Sequence, residues 1–135
     1  MKRIHVDGRL CIGPNFSTAE FALIKRNLAQ QKGLDTLADS LAAAGNAQRL
    51  KILYLLYAHK EMCVCDLAEV LALTDSAVSQ HLSRLKGENM VRSRREKQTI
   101  FYSLVRNTVT AQLQTLFRRG EMKENHTFLR KEEVI

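Results

Sequence analysis

The chain has 135 residues and a formal net charge of +7 at pH 7, from 21 Lys+Arg against 14 Asp+Glu. This length fits one domain with a modest core, and the positive charge favours a polyanionic partner such as nucleic acid. A membrane-spanning protein is not expected, because the most apolar run, residues 50–58, is interrupted by Lys51 and is too short to cross a bilayer.

The three cysteines of the chain point to metal or thiol chemistry. The N-terminus shows no hydrophobic core of a signal peptide, so we expect a cytoplasmic protein. In a reducing compartment an odd number of cysteines is a poor disulfide framework. No combination of nucleophile and base and no phosphate-binding loop is visible, so we expect no enzymatic activity.

The N-terminal part of the chain predicts an arm followed by helices. Residues 1–16 mix glycines, the single proline and scattered charges, which indicates a flexible, irregular arm that contains Cys11. Apolar residues then recur at spacings of three and four, which predicts three scaffold helices: residues 17–33, residues 34–45 and residues 50–57.

A helix-turn-helix pattern follows. Residues 61–72 predict a short helix with Leu67, Val70 and Leu71 facing inward, and a new helix begins at Thr74 or Asp75 after a tight turn. Its polar face is short and rich in hydrogen-bonding groups, which suits contact with bases in the major groove; a solvated surface helix is the alternative. The candidate DNA contacts on this helix are Ser76, Ser79, Gln80, Ser83 and Arg84, with His81 at the edge of the apolar face as a packing or DNA-contact residue.

The segment from Val91 to Leu104 favours DNA binding over the solvated helix. It partly alternates, contains β-prone residues and predicts a hairpin wing. A cluster of positive charges beside a helix-turn-helix suits contact with phosphates. The cations near the tip of this wing are Arg92, Arg94, Arg95 and Lys97.

The residues after the wing predict a last helix and a tail. An apolar stripe from Val109 to Phe117 has helical spacing, and it is either core or, with the helix from Ser17, a dimer contact. The expected organisation is an arm (1–16), a winged helix-turn-helix and dimerisation domain (17–119) and a polar C-terminal tail (120–135).

The pair Cys63-Val64-Cys65 lies at the start of the first helix of the motif. Thiolates are soft ligands, so a cysteine pair here suggests that metal binding is communicated to DNA. The helix N-terminus is expected to lower the pKa of these thiols. Two buried cysteines that act only as small hydrophobic residues are the alternative.

The motifs together resemble the ArsR/SmtB family of metal-sensing transcriptional repressors. The resemblance is carried by Cys63–Ala68, by Ser76–Leu82, by Phe101–Leu104 and by the upstream Arg49–Leu53, and it covers about residues 20–118. It implies a mainly α fold with a small β-hairpin, a winged helix-turn-helix homodimer. It also implies that the metal-free dimer binds double-stranded operator DNA and is released by metal. A two-fold dimer is expected to read an inverted repeat.

The resemblance also implies a set of ligands. A Cys-Val-Cys at this position is characteristic of the arsenite-responsive and cadmium/lead-responsive branches, and the latter add two arm cysteines spaced Cys-x-x-x-Cys. Here Cys11 is present, but Asp7 stands four residues before it. The implied site therefore has three sulfurs, from Cys11, Cys63 and Cys65, with Asp7 or His5 as weak additional ligands. Such a site favours As(III), Sb(III), Pb(II) or Hg(II), with Cd(II) if a further donor completes its shell.

Two other functions remain open at this point. The first is a regulator that responds to oxidation of its thiols. The second is a constitutive architectural DNA-binding protein without an effector. The response of DNA binding to metals and to oxidants, together with its sequence preference, would distinguish these functions.

Overall fold

The structure is a computed structural model that describes residues 2–119, apart from the side chains of Lys2 and Cys11. The described chain forms two compact units, one that ends at Asp35 and one that begins at Thr36. The predicted C-terminal tail, residues 120–135, lies outside the described residues. No helix in the described range is long and apolar enough to cross a membrane.

The first unit begins with a β-hairpin, not the irregular arm predicted from the sequence. Strand β1 (Lys2–Val6) pairs antiparallel with β2 (Arg9–Gly13), and Val6 lies opposite Arg9. The two loop residues, Asp7 and Gly8, have φ of 51° and 76°. A type I′ turn needs positive φ at both central residues, which Asp-Gly tolerates. That dipeptide was the overlooked signal of a hairpin.

Helix α1 (Thr18–Ala29) follows the hairpin in the first unit. Ser17 accepts a hydrogen bond from the Glu20 amide at 3.1 Å, and the Glu20 carboxylate accepts one from the Ser17 amide at 3.3 Å. This capping box explains where the helix begins. The helix ends before Gly33, which instead begins α2 (Gly33–Ala44). No residue of α1 is buried, and Leu23 and Leu28 are exposed.

Helix α3 (Ala47–His59) begins in the second unit at an Asn cap. The Asn46 side chain accepts hydrogen bonds from two backbone amides, at 3.0 and 3.1 Å. Arg49 donates to the carbonyl oxygens of Ala43 at 2.6 Å and Ala42 at 3.4 Å. These carbonyls at the end of α2 have no partner within their own helix, so Arg49 joins the two helices.

The winged helix-turn-helix follows. A short strand, β3 (Glu61–Cys63), precedes α4 (Val64–Leu71), and α5 (Asp75–Gly87) is capped by Thr74. The wing is formed by two strands and is followed by a last helix: β4 (Val91–Glu96), β5 (Thr99–Leu104) and α6 (Thr108–Arg119). The winged-helix fold is therefore confirmed. The helix predicted over residues 61–72 begins only at residue 64, because residues 61–63 pair with β5 in a sheet of order β3-β5-β4.

The core of the second unit joins α3, α5 and the sheet. As predicted, α5 buries Val78, Leu82 and Leu85. The prediction for α4 was partly wrong, because Val70 is 58% exposed and Ala68 is buried. A helix that begins at Val64 turns positions 64, 67, 68 and 71 inward at the usual spacing, and position 70 falls off that face. The fully buried side chains of this core include Ile52, Leu53, Leu56, Leu67, Leu82, Leu85 and Met90.

Candidate nucleic-acid interface and cysteine site

Helix α5 presents its polar residues to solvent. Its apolar face is buried, so the opposite face is held in a fixed orientation. Thr74 accepts a hydrogen bond from the Ala77 amide at 3.1 Å, which fixes the first turn. The sequence predicted that the following residues are available to DNA, and the structure leaves them exposed: Ser76, Ser79, Gln80, Ser83 and Arg84, whereas His81 is half-buried.

Two side chains near the end of α5 already have partners. Arg84 forms an ion pair with Glu88 at 3.0 Å, and Ser40 donates a hydrogen bond to the same carboxylate at 3.4 Å. Lys86 Nζ donates to Ser93 Oγ in the wing at 3.0 Å. Residue spacing in the sequence did not indicate the contact with Ser93, because it joins a helix to a strand. This hydrogen bond connects α5 to the wing.

The four cations predicted on the wing are all exposed, but they differ in their contacts. Arg92 Nε donates to Ser103 Oγ at 3.4 Å, and Arg95 Nε donates to the Lys97 carbonyl oxygen at 3.0 Å. Arg94 instead binds two carboxylates, those of Glu61 and Glu96. The charge of Arg94 is therefore compensated within the protein.

Cys63 and Cys65 lie on either side of a junction between strand and helix. Cys63 is the last residue of β3 and the N-cap of α4, with extended φ and ψ of −88° and 170°, while Cys65 lies in the first helical turn. Both thiols are free; Cys63 is half-buried and Cys65 is exposed. The exposure of Cys65 argues against a role as a small core residue. Because Cys63 precedes the helix, the rule that residues i and i+2 point apart on a helix does not apply to this pair.

The surroundings of Cys63 reverse one expectation from the sequence. Burial raises the pKa of the Cys63 thiol, and the Asp66 carboxylate raises it further, while the backbone amides of Asp66 and Cys65 act in the opposite direction. The prediction that the helix N-terminus lowers this pKa is therefore wrong for Cys63, because burial outweighs the amides. Any ligand that binds the Cys63 thiolate must first displace a proton.

Cys65 lies close to the N-terminus of α5. Its Sγ is 4.0 Å from Oδ2 of Asp75, the first residue of α5. The sequence offered no signal for this contact, since the two residues belong to different helices. The Cys65 sulfur therefore lies beside the N-terminus of the helix that carries the candidate base contacts.

The three candidate ligands in the arm lie on the N-terminal hairpin. Asp7 occupies the turn, His5 pairs with Leu10, and position 11 pairs with Ile4. Positions 5 and 11 therefore belong to opposite faces of the ladder, since neighbouring positions alternate. The Cys11 side chain is outside the described atoms. Within the described residues, no group of three His, Cys, Asp or Glu is arranged to hold a metal ion.

A protein-family comparison places the central part of the chain among known regulators. Residues 46–93 match the family described as "Bacterial regulatory protein, arsR family". The chain is 41% identical over 78 residues to the transcriptional activator HlyU of Vibrio cholerae, an alignment that covers 58% of this chain and 71% of that protein. It is 30% identical over 100 residues to a transcriptional repressor SmtB homolog of Synechocystis, covering 74% and 75% of the two chains.

A third relative and two solved structures complete the comparison. The chain is 35% identical over 80 residues to a cadmium resistance regulatory protein, a CadC homolog of Staphylococcus aureus, covering 59% and 65%. The structure of HlyU from Vibrio cholerae aligns with a TM-score of 0.60 at 38% identity, covering 65% of this chain and 95% of that chain. A structure titled as reduced HlyU from the same organism aligns with a TM-score of 0.57 at 35% identity, covering 71% and 94%.

Proposed function

This chain belongs to the ArsR/SmtB family of bacterial transcriptional regulators, and from that premise we propose that it is a repressor controlled by the thiols of Cys63 and Cys65. In this proposal a homodimer binds operator DNA in the absence of effector. A thiophilic metal or metalloid ion that binds the cysteines releases it. The observation that carries the proposal is the position of Cys65. Its Sγ is 4.0 Å from Oδ2 of Asp75, the first residue of α5, which we propose as the recognition helix.

The DNA-binding part of the proposal assigns different roles to α5 and the wing. The exposed polar face of α5 reads base edges, and Arg92, Arg95 and Lys97 contact phosphates. The exposed apolar side chains Leu28 on α1 and Leu116 on α6 support a dimer contact on these helices. A two-fold dimer with one recognition helix per protomer requires two related half-sites, so the proposed operator is an inverted repeat.

The switch follows from the junction that carries the cysteines. An ion that draws the sulfurs of Cys63 and Cys65 together changes the geometry at the start of α4. Asp75 then loses or changes its contact with Cys65, and the N-terminus of α5 moves relative to the DNA half-site. Since binding energies are linked, operator DNA must weaken ion binding by the same factor as the ion weakens DNA binding.

The donor set restricts the class of ion. Two sulfur donors favour soft ions, and the described residues offer them no third ligand. We propose that Cys11 supplies the third sulfur, from the same or the partner subunit, and that Asp7 or His5 contributes for Cd(II) alone. As(III), Sb(III), Pb(II) and Hg(II) are the proposed effectors because they accept three-coordinate, sulfur-rich sites.

A panel of ions tests this function. Release of a fluorescent operator is measured by anisotropy under reducing conditions, with arsenite, Sb(III), Pb(II), Hg(II), Cd(II) and Zn(II). We expect the sulfur-seeking ions to lower operator affinity by about 5–150-fold, the usual size of allosteric coupling, and Zn(II) to have the smallest effect. Operator that stays bound with every ion would contradict the proposal.

Oxidation of the thiols is the second candidate function. It is favoured by the exposure of Cys65 and by the lack of a third metal ligand among the described residues. Similarity to a protein whose structure is titled as a reduced form also supports it. The same anisotropy assay distinguishes the candidates: peroxide would release the operator, dithiothreitol would restore binding, and the ions would have no effect.

The exposed face of α5 gives a prediction about sequence preference. Gln80→Ala should lower affinity for the operator by about 1–3 kcal/mol, because a bidentate side-chain contact to a base carries that much discrimination. Affinity for scrambled DNA should change little. Gln31→Ala, the same chemical change at an exposed position outside α5 and the wing, serves as the control. An equal loss on operator and scrambled DNA would show that Gln80 does not read bases.

A further inference from the structure

Three of the five N–H groups of the Arg94 guanidinium are bound to carboxylates within the protein. Its Nε and Nη2 bind the two carboxylate oxygens of Glu61 at 2.6 and 2.7 Å, and Nη1 binds Glu96 at 3.0 Å. The same group lies 4.8 Å from the centre of the Phe101 ring. Isolated surface ion pairs contribute little to stability, but a bidentate pair that also stacks on an aromatic ring fixes the direction of the side chain.

This arrangement is unsuited to contact with DNA. Each guanidinium nitrogen already donates to a carboxylate, and the two carboxylates more than compensate the single positive charge of Arg94. A phosphate at the remaining N–H groups would therefore meet net negative charge. Arg92 and Arg95, on the same strand, donate to uncharged oxygens and keep their positive charge available. Residue type and position in the sequence cannot separate Arg94 from Arg95. Their partners in the structure do.

The partners of Arg94 link the wing to the strand that ends at Cys63. Strand β3 pairs with β5 and has no ladder with β4, so the pair between Arg94 on β4 and Glu61 on β3 reaches across the central strand. In the same sheet Cys63 lies opposite Phe101, and Phe101 lies opposite Arg94. Directly opposed residues of an antiparallel ladder share a face. Cys63, Phe101 and Arg94 therefore form one row across the three strands.

We propose that Arg94 is a positioning residue that holds the wing to β3 through Glu61 and so couples the state of Cys63 to the orientation of the wing. The proposal rests on the function proposed above and identifies a second route from the cysteines to DNA. Cys65 acts on α5 through Asp75, and Cys63 acts on the wing through Arg94.

The route has a simple physical basis. Strand β3 has three residues and pairs with a neighbouring strand on one side only, so few hydrogen bonds hold it in place. A ligand or modification on Cys63 displaces the end of this strand. With the pair between Arg94 and Glu61 in place, strand β4 follows β3 directly. Without it, β4 is connected to β3 only through the ladders of β5, so a displacement of β3 reaches β4 and its phosphate contacts more weakly.

Two matched variants test the proposal on the dimer. Arg94→Gln and Arg95→Gln each remove one positive charge from neighbouring positions of the same strand. We expect Arg95→Gln to reduce the slope of log affinity against log salt by about 1 per protomer, as loss of a phosphate contact does, and to keep release by Pb(II) or arsenite. We expect Arg94→Gln to keep the slope and to release operator less than the wild type does at the same ion concentration.

A second measurement is independent of any metal. In a background with Cys11→Ser and Cys65→Ser, alkylation of Cys63 by iodoacetamide is followed by mass spectrometry with and without saturating operator. DNA bound to the wing should slow this reaction, because it restrains β3 through Arg94. This protection should persist with Arg95→Gln and be lost with Arg94→Gln. Glu61→Gln removes the pair and keeps every cation of the wing, so it should also lose the protection.

The outcomes separate this proposal from the function on which it rests. If Arg94→Gln lowers the salt slope as Arg95→Gln does and keeps the protection of Cys63, Arg94 contacts phosphate and the proposal is wrong. If no ion releases the wild type but the protection depends on Arg94 and Glu61, the metal function fails and the role of Arg94 stands. Should Arg94→Gln fail to fold, Glu61→Gln takes its place in the test. Lost protection of Cys63 supports the proposal, and retained protection contradicts it.

Discussion

Replacing either Cys63 or Cys65 by serine should produce a repressor that binds its operator and is no longer released by Pb(II), Cd(II) or arsenite. A serine hydroxyl is a hard, weakly acidic ligand and does not replace a thiolate for soft ions. The wild type should lose operator affinity by about 5–150-fold at saturating ion, and each variant by about twofold or less. Anisotropy titrations of a labelled operator, with and without ion, measure both values.

The position of Cys63 supplies a control for folding. Cys63 is the N-cap of α4 and its side chain makes no capping hydrogen bond. Serine is a favoured N-cap residue, so Cys63→Ser should not weaken the helix, whereas Cys63→Ala offers no acceptor. Loss of DNA binding by both variants in the absence of ion would show that the cysteine is structural. Retained release by either serine variant would exclude that thiol as a required ligand.

Leu82→Ala should lower the free energy of unfolding by about 2–5 kcal/mol, because it leaves a cavity beneath the recognition helix. Leu82 is 0% exposed and lies between Val78 and Leu85 on the buried face of α5. Domains of this size are stabilised by about 5–15 kcal/mol in total, so this loss is a large part of the whole. Urea unfolding followed by circular dichroism, at one fixed protein concentration, measures the change.

The neighbouring residue gives the control for this substitution. Ser83 is exposed on the same helix, so Ser83→Ala should change the free energy of unfolding by about 0.5 kcal/mol or less. Operator binding by Leu82→Ala should weaken as well, since a loosened α5 no longer holds its polar face in one orientation. If Leu82→Ala lowered the free energy of unfolding by no more than Ser83→Ala does, α5 would not be held by its apolar face.

The periodicity of the sequence was enough to predict the helix and the hairpin that carry the candidate DNA contacts. Val78, Leu82 and Leu85 recur at helical spacing, and their burial places Ser79 and Gln80 on the exposed face. The wing was likewise recognisable from its β-prone residues. Both patterns are local, so they can be read without knowledge of the rest of the chain. The N-terminal hairpin was also predictable, since Asp7-Gly8 is a strong turn signal, although the scattered charges obscured it.

The contacts that connect the elements could not be predicted in this way. Glu61 lies 33 residues from Arg94 in the chain. Acidic and basic residues are common at such separations, so the sequence does not indicate that these two form a pair. A short strand such as β3 has too few residues to show a period, and it forms only because β5 offers a free edge to pair with. The same pairing delays the start of α4 to Val64 and exposes Val70.

By itself, the sequence determined a winged helix-turn-helix with two cysteines at the start of the first helix of its motif, because helical periodicity, charge and spacing are properties of neighbouring residues. The resemblance of its motifs to the ArsR/SmtB family indicated a DNA-binding regulator. Only the tertiary structure decided which side chains are free to act. It showed that Cys63 is half-buried with a raised pKa, that Cys65 faces Asp75, and that Arg94 is held by Glu61. Burial and ion pairing depend on residues distant in the chain, so they are settled only when the chain folds.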